Sequence, residues 1–168
     1  MTSGSSQQEV TISSGEFLTF ILGGEEYGVD ILAVRGIQGW DGVTRIPDTP
    51  DYMLGVINLR GAIVPIVDMR IKFNLKRAEF DSTTVVIVVR AELGGEDHIL
   101  GLVVDAVSEV YKIDQGTIQS NPEFNADQAN DMVKGLITIE EKMVIILDVD
   151  MLIEDWAPDS LTQEDVAA

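Results

Sequence analysis

One apolar hairpin pattern occurs twice in this chain, in the same order and without a gap. The run from Gly55 to Asp68 consists of two apolar stretches joined by a short polar turn at 58–61, and the run from Gly135 to Asp148 repeats it. A glycine opens each copy and an aspartate closes it. Such a repeat predicts two similar β-rich units.

A shorter match precedes each hairpin. Residues 28–34 (GVDILAV) match residues 101–107 (GLVVDAV), again without a gap. Any two strings rich in valine and isoleucine can match by chance. Because both matches occur in the same order, the repeat is the stronger explanation.

Apolar runs between glycine turns predict many short strands. Residues 17–22, the glycine pair at 23–24 and residues 27–31 predict a strand, a turn and a second strand. Residues 83–90 predict a strand that is buried on both faces, with 99–104 as its partner. Together with the repeat, these elements predict a mainly all-β fold of two small β-barrels that share one interior and carry a few short helices.

Several local features refine this prediction. Residues 31–37 predict a short helix that Gly36 and Gly39 interrupt, and Pro65 predicts an edge strand or a bulge. Asp68 and Asp148 are expected to cap short helices over residues 69–73 and 149–156. Residues 115–132 have little periodicity and predict a long loop or a short helix.

Composition and charge restrict the possible functions. Residues 1–14 are rich in serine, glycine and glutamine and are expected to be disordered, residues 15–156 to form a single domain, and residues 157–168 to form a mobile acidic tail. The chain has no cysteine, no apolar run of the roughly 18 residues that cross a bilayer, and no secretion signal, so a cytoplasmic protein is expected.

The formal net charge of −18 argues against binding to nucleic acid or to an anionic membrane. The candidates for a local basic patch are Arg70, Lys72, Lys76 and Arg77.

The residue types needed for catalysis or metal binding are scarce. His98 is the only imidazole, and its neighbours Glu96 and Asp97 indicate a solvated turn. Asp148 and Asp150 are a superficial match to a calcium loop, but the glycine and the spacing of an EF-hand are missing. The sequence therefore predicts a protein that is not an enzyme and that has no cofactor, no metal and no catalytic residue.

Arg60 is a lone cation at the tip of the first apolar hairpin, and Gly61 follows it. It is either a turn residue that offsets nearby acidic charge, or a group that anchors the carboxylate or backbone carbonyls of a partner. The residue types alone leave both interpretations open.

A family resemblance favours the second interpretation. Residues 16–18 (EFL), 25–32 (EEYGVDIL), 43–47 (VTRIP), 55–70 (GVINLRGAIVPIVDMR) and 101–107 (GLVVDAV) resemble the CheW family of bacterial chemotaxis coupling proteins. The similarity covers residues 16–152 and is most specific in the Asn-Leu-Arg-Gly turn of the first hairpin.

The resemblance implies a fold of two loose five-stranded SH3-like barrels packed on a common core. It also implies a non-enzymatic adaptor that joins the cytoplasmic tip of a chemoreceptor, a methyl-accepting chemotaxis protein, to the regulatory domain of the histidine kinase CheA. Such an adaptor is a monomer in isolation and assembles into receptor arrays at the inner face of the membrane, without direct membrane insertion.

The resemblance also implies two sets of contact residues. The receptor would bind in or beside the groove between the barrels, at Val34, Arg60, Gly61 and Val110. The kinase would contact Val85 and Val86, although core packing is the preferred interpretation of these two valines.

One position departs from the family pattern. Family members commonly carry glutamate near the hairpin arginine, where this chain has Gly36. Asp30 or Asp68 is the expected substitute partner for Arg60.

Two other functions stay open on the sequence. The chain could couple a receptor and a kinase in a pathway unrelated to motility. Alternatively, it could be a free-standing double-barrel module that binds a proline-rich peptide or a small ligand, for which an aromatic-lined groove is expected. The aromatic content of 6%, and the distance along the chain between Trp40 and Trp156, weigh against this module.

Overall fold

A computed structural model of the protein describes residues 15–75, 79–114, 118–119 and 132–156, and the predicted terminal segments 1–14 and 157–168 lie outside these ranges. The strands are β1 Glu16–Leu22, β2 Glu25–Asp30, β3 Val34–Gly39, β4 Met53–Leu59, β5 Ala62–Asp68, β6 Val85–Leu93, β7 Glu96–Val104, β8 Ala106–Lys112, β9 Val133–Ile139 and β10 Lys142–Leu147. The helices are a 3-10 turn at Ile31–Ala33, α1 at Met69–Lys72 and α2 at Val149–Trp156.

The strands form two curled sheets of five. Barrel 1 has the strand order β8-β1-β2-β10-β9, and barrel 2 has the order β3-β6-β7-β5-β4. Each barrel contains one parallel pair, β2 with β10 in barrel 1 and β5 with β7 in barrel 2, and its other pairs are antiparallel. The predicted mainly β fold of two five-stranded barrels is confirmed.

The two parallel pairs reproduce the sequence repeat residue by residue. Gly28 lies opposite Ile146 in barrel 1, and Gly101 lies opposite Ile66 in barrel 2. A Cβ atom at Gly28 would lie 3.2 Å from the Cδ1 of Ile146, and one at Gly101 would overlap the Cδ1 of Ile66. The matched glycines therefore leave space for the matched isoleucines.

The repeat does not divide cleanly between the barrels, because the last three strands of each repeat join the first two strands of the other. β3 follows β2 along the chain but pairs with β6 of the other repeat, and β8 follows β7 but pairs with β1. Barrel 1 therefore combines β1 and β2 with β8, β9 and β10, and barrel 2 combines β6 and β7 with β3, β4 and β5. The ungapped matches cannot reveal this exchange, since they record order along the chain and not pairing in space.

Short bridges extend both sheets beyond the outer strands. After β3, Thr44 exchanges two backbone hydrogen bonds of 2.9 Å with Val56 on β4. After β8, Gln119 exchanges bonds of 2.8 and 2.7 Å with Leu136 on β9. The two bridges occupy matched positions, so the repeat extends to the segments that follow β3 and β8.

Three apolar clusters fill the molecule. One lies inside barrel 1, one lies inside barrel 2, and the largest is shared between them. On β6, Val86 and Val88 pack inside barrel 2, whereas Ile87 and Val89 pack in the shared core. The prediction of a strand buried on both faces is confirmed. The buried members of the shared core are Leu18, Phe20, Leu22, Tyr27, Val29, Met53, Val67, Met69, Ile87, Val89, Ala91, Leu100, Leu102, Val104, Leu147, Val149, Leu152, Ile153 and Trp156.

Two local predictions are wrong. The helix expected over residues 31–37 is a three-residue 3-10 turn, after which β3 continues to Gly39 with alternating exposure. Of the two alternatives for Pro65, the edge strand is wrong, because β5 lies between β7 and β4, whereas a bulge does occur close by, between Met53 and Gly55 of the facing strand β4. The parallel ladder with β7 pairs residues 66–68 of β5, so the missing N–H of Pro65 falls where that ladder ends.

The aspartates that close the two hairpins begin helices, as predicted. The Oδ1 atom of Asp68 accepts a hydrogen bond of 2.9 Å from the backbone N–H of Arg70. The Oδ1 atom of Asp148 lies 3.3 Å from the donating backbone nitrogen of Met151. Helix α2 covers residues 149–156 as expected, and α1 ends one residue before the predicted 73.

Candidate partner-binding site

The turn between β4 and β5 carries Arg60 at its tip. Both turn residues have positive φ angles, 54° at Arg60 and 89° at Gly61, which is typical of the tightest hairpin turns. The side-chain oxygen of Asn58 accepts a hydrogen bond of 2.9 Å from the backbone N–H of Gly61. Because the backbone of the turn is fixed in this way, the exposed guanidinium of Arg60 extends from a defined position.

Arg60 has no acidic partner in the part of the chain that the structure describes. The expectation that Asp68 pairs with it is wrong, since Asp68 lies at the other end of β5, roughly 20 Å away by strand geometry, and binds Arg70 instead. Asp30 caps the 3-10 turn, where its Oδ1 atom accepts a hydrogen bond of 2.9 Å from the backbone N–H of Leu32. The donors of Arg60 are therefore available to a partner.

Exposed apolar side chains lie on the outer strands of both barrels. On β3, Val34 is half-buried against the shared core, and Ile37 is 46% exposed. On β8, Val110 is 50% exposed. Leu32, in the 3-10 turn before β3, is 64% exposed. Since β3 belongs to barrel 2 and β8 to barrel 1, these side chains come from both barrels.

Val85 and Val86 lie side by side on β6, opposite Gly39 and Gln38 of β3. Val85 is half-buried against the shared core, whereas Val86 is 2% exposed and packs inside barrel 2. The side chain of Val86 faces the barrel interior, as its core-packing interpretation requires. Val85 is the member of the pair that solvent reaches.

The predicted receptor-contact residues therefore do not all come from one element. Arg60 and Gly61 share a turn of barrel 2, and Val34 lies on the outer strand of the same barrel. Val110 lies on the outer strand of barrel 1.

A buried cluster of three charged side chains lies where the chain crosses from barrel 2 to barrel 1. The guanidinium of Arg70 is fully buried and makes two hydrogen bonds to Asp68, from Nε to Oδ1 at 3.0 Å and from Nη2 to Oδ2 at 3.1 Å. Its Nη1 atom donates to Oδ1 of Asp105 at 3.1 Å. Burial alone would lower the pKa of Arg70, but the two carboxylates outweigh it and the pKa is raised. The cation is therefore held charged inside the protein.

The predicted basic patch does not form around Arg70, because this side chain is buried. The Nζ atom of Lys72 lies 4.3 Å from the ring centroid of Tyr52 and 3.5 Å from a carboxylate oxygen of Asp155. Lys76 and Arg77 lie outside the described residues.

A cavity of about 500 Å³ lies beside both helices. Its lining includes Tyr27, Phe73 and Trp156. The ring centroid of Phe73 lies 5.7 Å from that of Tyr27 and 5.4 Å from that of Trp156. Trp40 belongs instead to barrel 2, where it stacks on Phe80 at 4.3 Å. Three aromatic side chains thus meet at one surface cavity, although they are distant in sequence.

The site offers little chemistry beyond these contacts. His98 is half-buried on β7 opposite Ala91 and does not lie in the expected solvated turn. Among the described residues, no three acidic, histidine or cysteine side chains come together as a metal site would require. Within the same ranges, no helix is long and apolar enough to span a membrane.

The sequence prediction missed the ion pair that Asp105 makes with Arg70 and the exposure of Ile37 on β3. Asp105 is an acid within an apolar run whose matched residue in the other repeat is Leu32, and this mismatch was the available signal. Ile37 alternates with Gly36 and Gln38, and this period of two indicates a strand with one exposed face.

Comparison with known proteins gives a consistent result. Residues 16–156 match the family model of the CheW-like domain. The chemotaxis protein CheW of Klebsiella aerogenes is 46% identical over 138 residues, which cover 82% of this chain and 81% of that protein. The chemotaxis protein CheW of Helicobacter pylori is 36% identical over 152 residues, which cover 90% of this chain and 89% of that protein.

A solved structure agrees with these matches. The crystal structure of the scaffolding protein TtCheW from Thermoanaerobacter tengcongensis superposes with a TM-score of 0.73 at 32% identity. The superposition covers 85% of this chain and 90% of that one.

Proposed function

We propose, since this chain belongs to the CheW family of chemotaxis scaffold proteins, that it couples the cytoplasmic tips of chemoreceptors to the histidine kinase CheA. The observation that carries the proposal is Arg60, an exposed cation without an acidic partner among the described residues, on a turn whose backbone is fixed. A planar guanidinium in this setting suits the carboxylates and backbone carbonyls of a protein partner.

The receptor contact combines this cation with the apolar outer strands. Val34 and Val110, with Gly61 beside the guanidinium, form the proposed receptor surface. Burial of apolar area on such a surface contributes about 25 cal/mol per Å², from which the cost of association is subtracted. Arg60 then sets the register of the receptor on this surface.

The kinase contact is proposed on β6. Val85 is the accessible residue there, and Val86 supports it from the interior of barrel 2. Val85 lies opposite Gly39, at the end of β3 away from Val34, so the two proposed contacts are separated along the β3–β6 pair.

The proposed mechanism is assembly and not catalysis, and it needs no cofactor. The protein works in the cytoplasm, is a monomer when isolated, and joins receptor arrays at the inner face of the membrane. Within an array it links the receptor state to the populations of active and inactive kinase.

The test is isothermal titration of the protein into a chemoreceptor cytoplasmic fragment and, separately, into the regulatory domain of the kinase from the same cell. Saturable binding to both supports the proposal. Binding to neither, with a folded sample at moderate salt, overturns it.

The variant Arg60→Ala is expected to fold normally, since an exposed turn cation contributes little to stability, and to lose receptor affinity and receptor-dependent kinase control. Lys142→Ala is the matched control, because Lys142 is an exposed cation at the equivalent turn of barrel 1. An unfolded Arg60→Ala protein, judged by circular dichroism and melting, would contradict this role for Arg60, as would receptor affinity equal to that of the control.

A second candidate function is favoured by the aromatic cavity. Phe73 is the partly exposed aromatic residue of this cavity and packs on the buried Tyr27 and Trp156, so the cavity offers a peptide one accessible aromatic side chain. Titration with proline-rich peptides tests this candidate, and Phe73→Leu is the informative variant. Peptide binding that this variant abolishes, without receptor or kinase binding by the parent protein, would favour the peptide module.

A further inference from the structure

Asp105 is the one residue between β7 of barrel 2 and β8 of barrel 1. Its contacts reach both barrels. Toward barrel 1, its backbone N–H donates to the carbonyl of Ile21 at 3.0 Å, and its Oδ2 atom accepts from the backbone N–H of Gly23 at 2.9 Å. Toward the barrel 2 side, its Oδ1 atom accepts from Arg70, and its carbonyl accepts from Thr83 at 3.0 Å. One carboxylate thus bridges elements of both barrels.

The barrel 2 side of this bridge is rigid. Arg70 is held at two of its nitrogens by Asp68, and its guanidinium lies 5.0 Å from the ring centroid of Phe80. Asp68 is itself fully buried and caps α1. The direction in which Nη1 points toward Asp105 is therefore fixed by packing within barrel 2.

The shared core joins the same two barrels without setting their angle so strictly, because apolar burial is not directional. Charge-assisted hydrogen bonds are directional and require defined donor and acceptor positions. Among the described residues, the other crossing of the chain has no such bridge, since the residue that matches Asp105 is the exposed Leu32, and the residue that matches Arg70 is Asp150.

We propose that the bridge from Arg70 through Asp105 to Gly23, here called the inter-barrel bridge, fixes the orientation of the two barrels and so positions the receptor surface. Val34 belongs to barrel 2, whereas Val110 belongs to barrel 1 and lies on the strand that Asp105 introduces. A rotation between the barrels would change the separation of these two residues. Asp105 is thus a positioning residue for a partner that contacts both barrels. This inference rests on the proposed function where it concerns the receptor.

Orientation can be measured without any partner. Since the chain has no cysteine, two cysteines can be introduced at chosen positions and spin-labelled, and the distance between the two labels can be measured by double electron-electron resonance. Glu92 on β6 and Thr138 on β9 are exposed and report on the separation of the barrels, whereas Glu92 and Asn58 report within barrel 2. Asp105→Ala is expected to shift or broaden the first distance distribution and to leave the second unchanged.

The matched control is Asp97→Ala. It removes an exposed aspartate that pairs with Arg90 of the same barrel, and it is expected to change neither distribution. Asp105→Asn retains the size of the side chain and is measured alongside, so that the test does not depend on the folding of the alanine variant. An inter-barrel distribution equal to that of the parent protein in a folded Asp105 variant would overturn the proposal.

Binding then separates the bridge from the proposed function. Receptor affinity is expected to fall by about fivefold or more in Asp105→Ala. Affinity for the kinase regulatory domain is expected to stay the same, because that contact lies on one barrel. If the parent protein binds no receptor, the proposed function fails while the distance measurement still decides the bridge. Equal loss for both partners would contradict a positioning role.

Discussion

The corners that follow the two repeated hairpins each begin with a capping aspartate, but the residues two positions later carry opposite charges. In barrel 2, the capping Asp68 is followed two residues later by the buried cation Arg70. In barrel 1, the capping Asp148 is followed two residues later by Asp150, which is exposed. Partial desolvation of its carboxylate, and then the charge of Asp148, raise the pKa of Asp150. The repeat therefore specifies the cap and the turn of the chain, while local burial determines which charges the corner accepts.

Removal of the buried cation is expected to give the largest difference between the two corners. Arg70→Met is expected to lower the free energy of unfolding by about 3–5 kcal/mol, because it leaves two carboxylates near Arg70 without their cation. Asp150→Ala at the matched position is expected to change stability little. Urea unfolding followed by circular dichroism measures both. Similar losses at the two positions would mean that the corners are energetically equivalent.

The glycines that open the two hairpins give the next largest effect. A Cβ atom at Gly55 would overlap the backbone carbonyl of Thr44, and the φ angle of 151° there disfavours other residues. At Gly135 a Cβ atom would lie 2.8 Å from the carbonyl of Gln119. We expect Gly55→Ala to cost about 3 kcal/mol and Gly135→Ala about 1–2 kcal/mol, measured by the same unfolding experiment. The reverse order would contradict the role assigned to the φ angle.

The hairpin turns differ in the residues that occupy their left-handed positions. Glu141, with a φ angle of 70°, takes the position that Gly61 has in barrel 2. Glu141→Gly is expected to stabilise the protein by about 1 kcal/mol, because it relieves a strained backbone. The matched variant Gly61→Ala is expected to destabilise it. Thermal melting of both variants checks the pair, and a lower melting temperature for Glu141→Gly would count against the strain.

The smallest effect is expected from pH. Because the pKa of Asp150 is raised in the folded protein, its ionised form costs stability at neutral pH, and this cost disappears as the pH falls through the raised pKa. Asp150→Asn should therefore gain less than about 0.5 kcal/mol at pH 7, since solvent screens an exposed group. The gain should vanish in acid. Melting curves at several pH values measure it, and a gain that grows on acidification would contradict the sign.

Patterns that depend on neighbours along the chain were predictable from the sequence. The hairpins, the buried strand β6 and the caps at Asp68 and Asp148 follow from apolar spacing, glycine positions and side-chain chemistry. The helix expected after Ile31 failed because its short apolar run fits a 3-10 turn and a strand equally well. For the site, only the turn at Arg60 could be placed on its element from the sequence alone.

Features that depend on pairing across the molecule were not predictable. One example is the pairing of strands from different repeats, which also places Pro65 in the interior of a sheet. Another is the ion pair of Arg70 with Asp105. Both depend on residues that are distant in sequence. The same holds for the burial of Val86 inside barrel 2 and for the aromatic cavity around Phe73.

The distribution of the strands between the two barrels has a consequence for synthesis on the ribosome. The strands of barrel 2 all lie between residues 34 and 104, so that barrel can form while the rest of the chain is still being made. Barrel 1 needs β1 and β2 from the start of the chain and β10, which ends at residue 147. Two apolar strands made first must therefore wait for the strand made last, and in that interval they are the part of the nascent protein that most needs protection from aggregation.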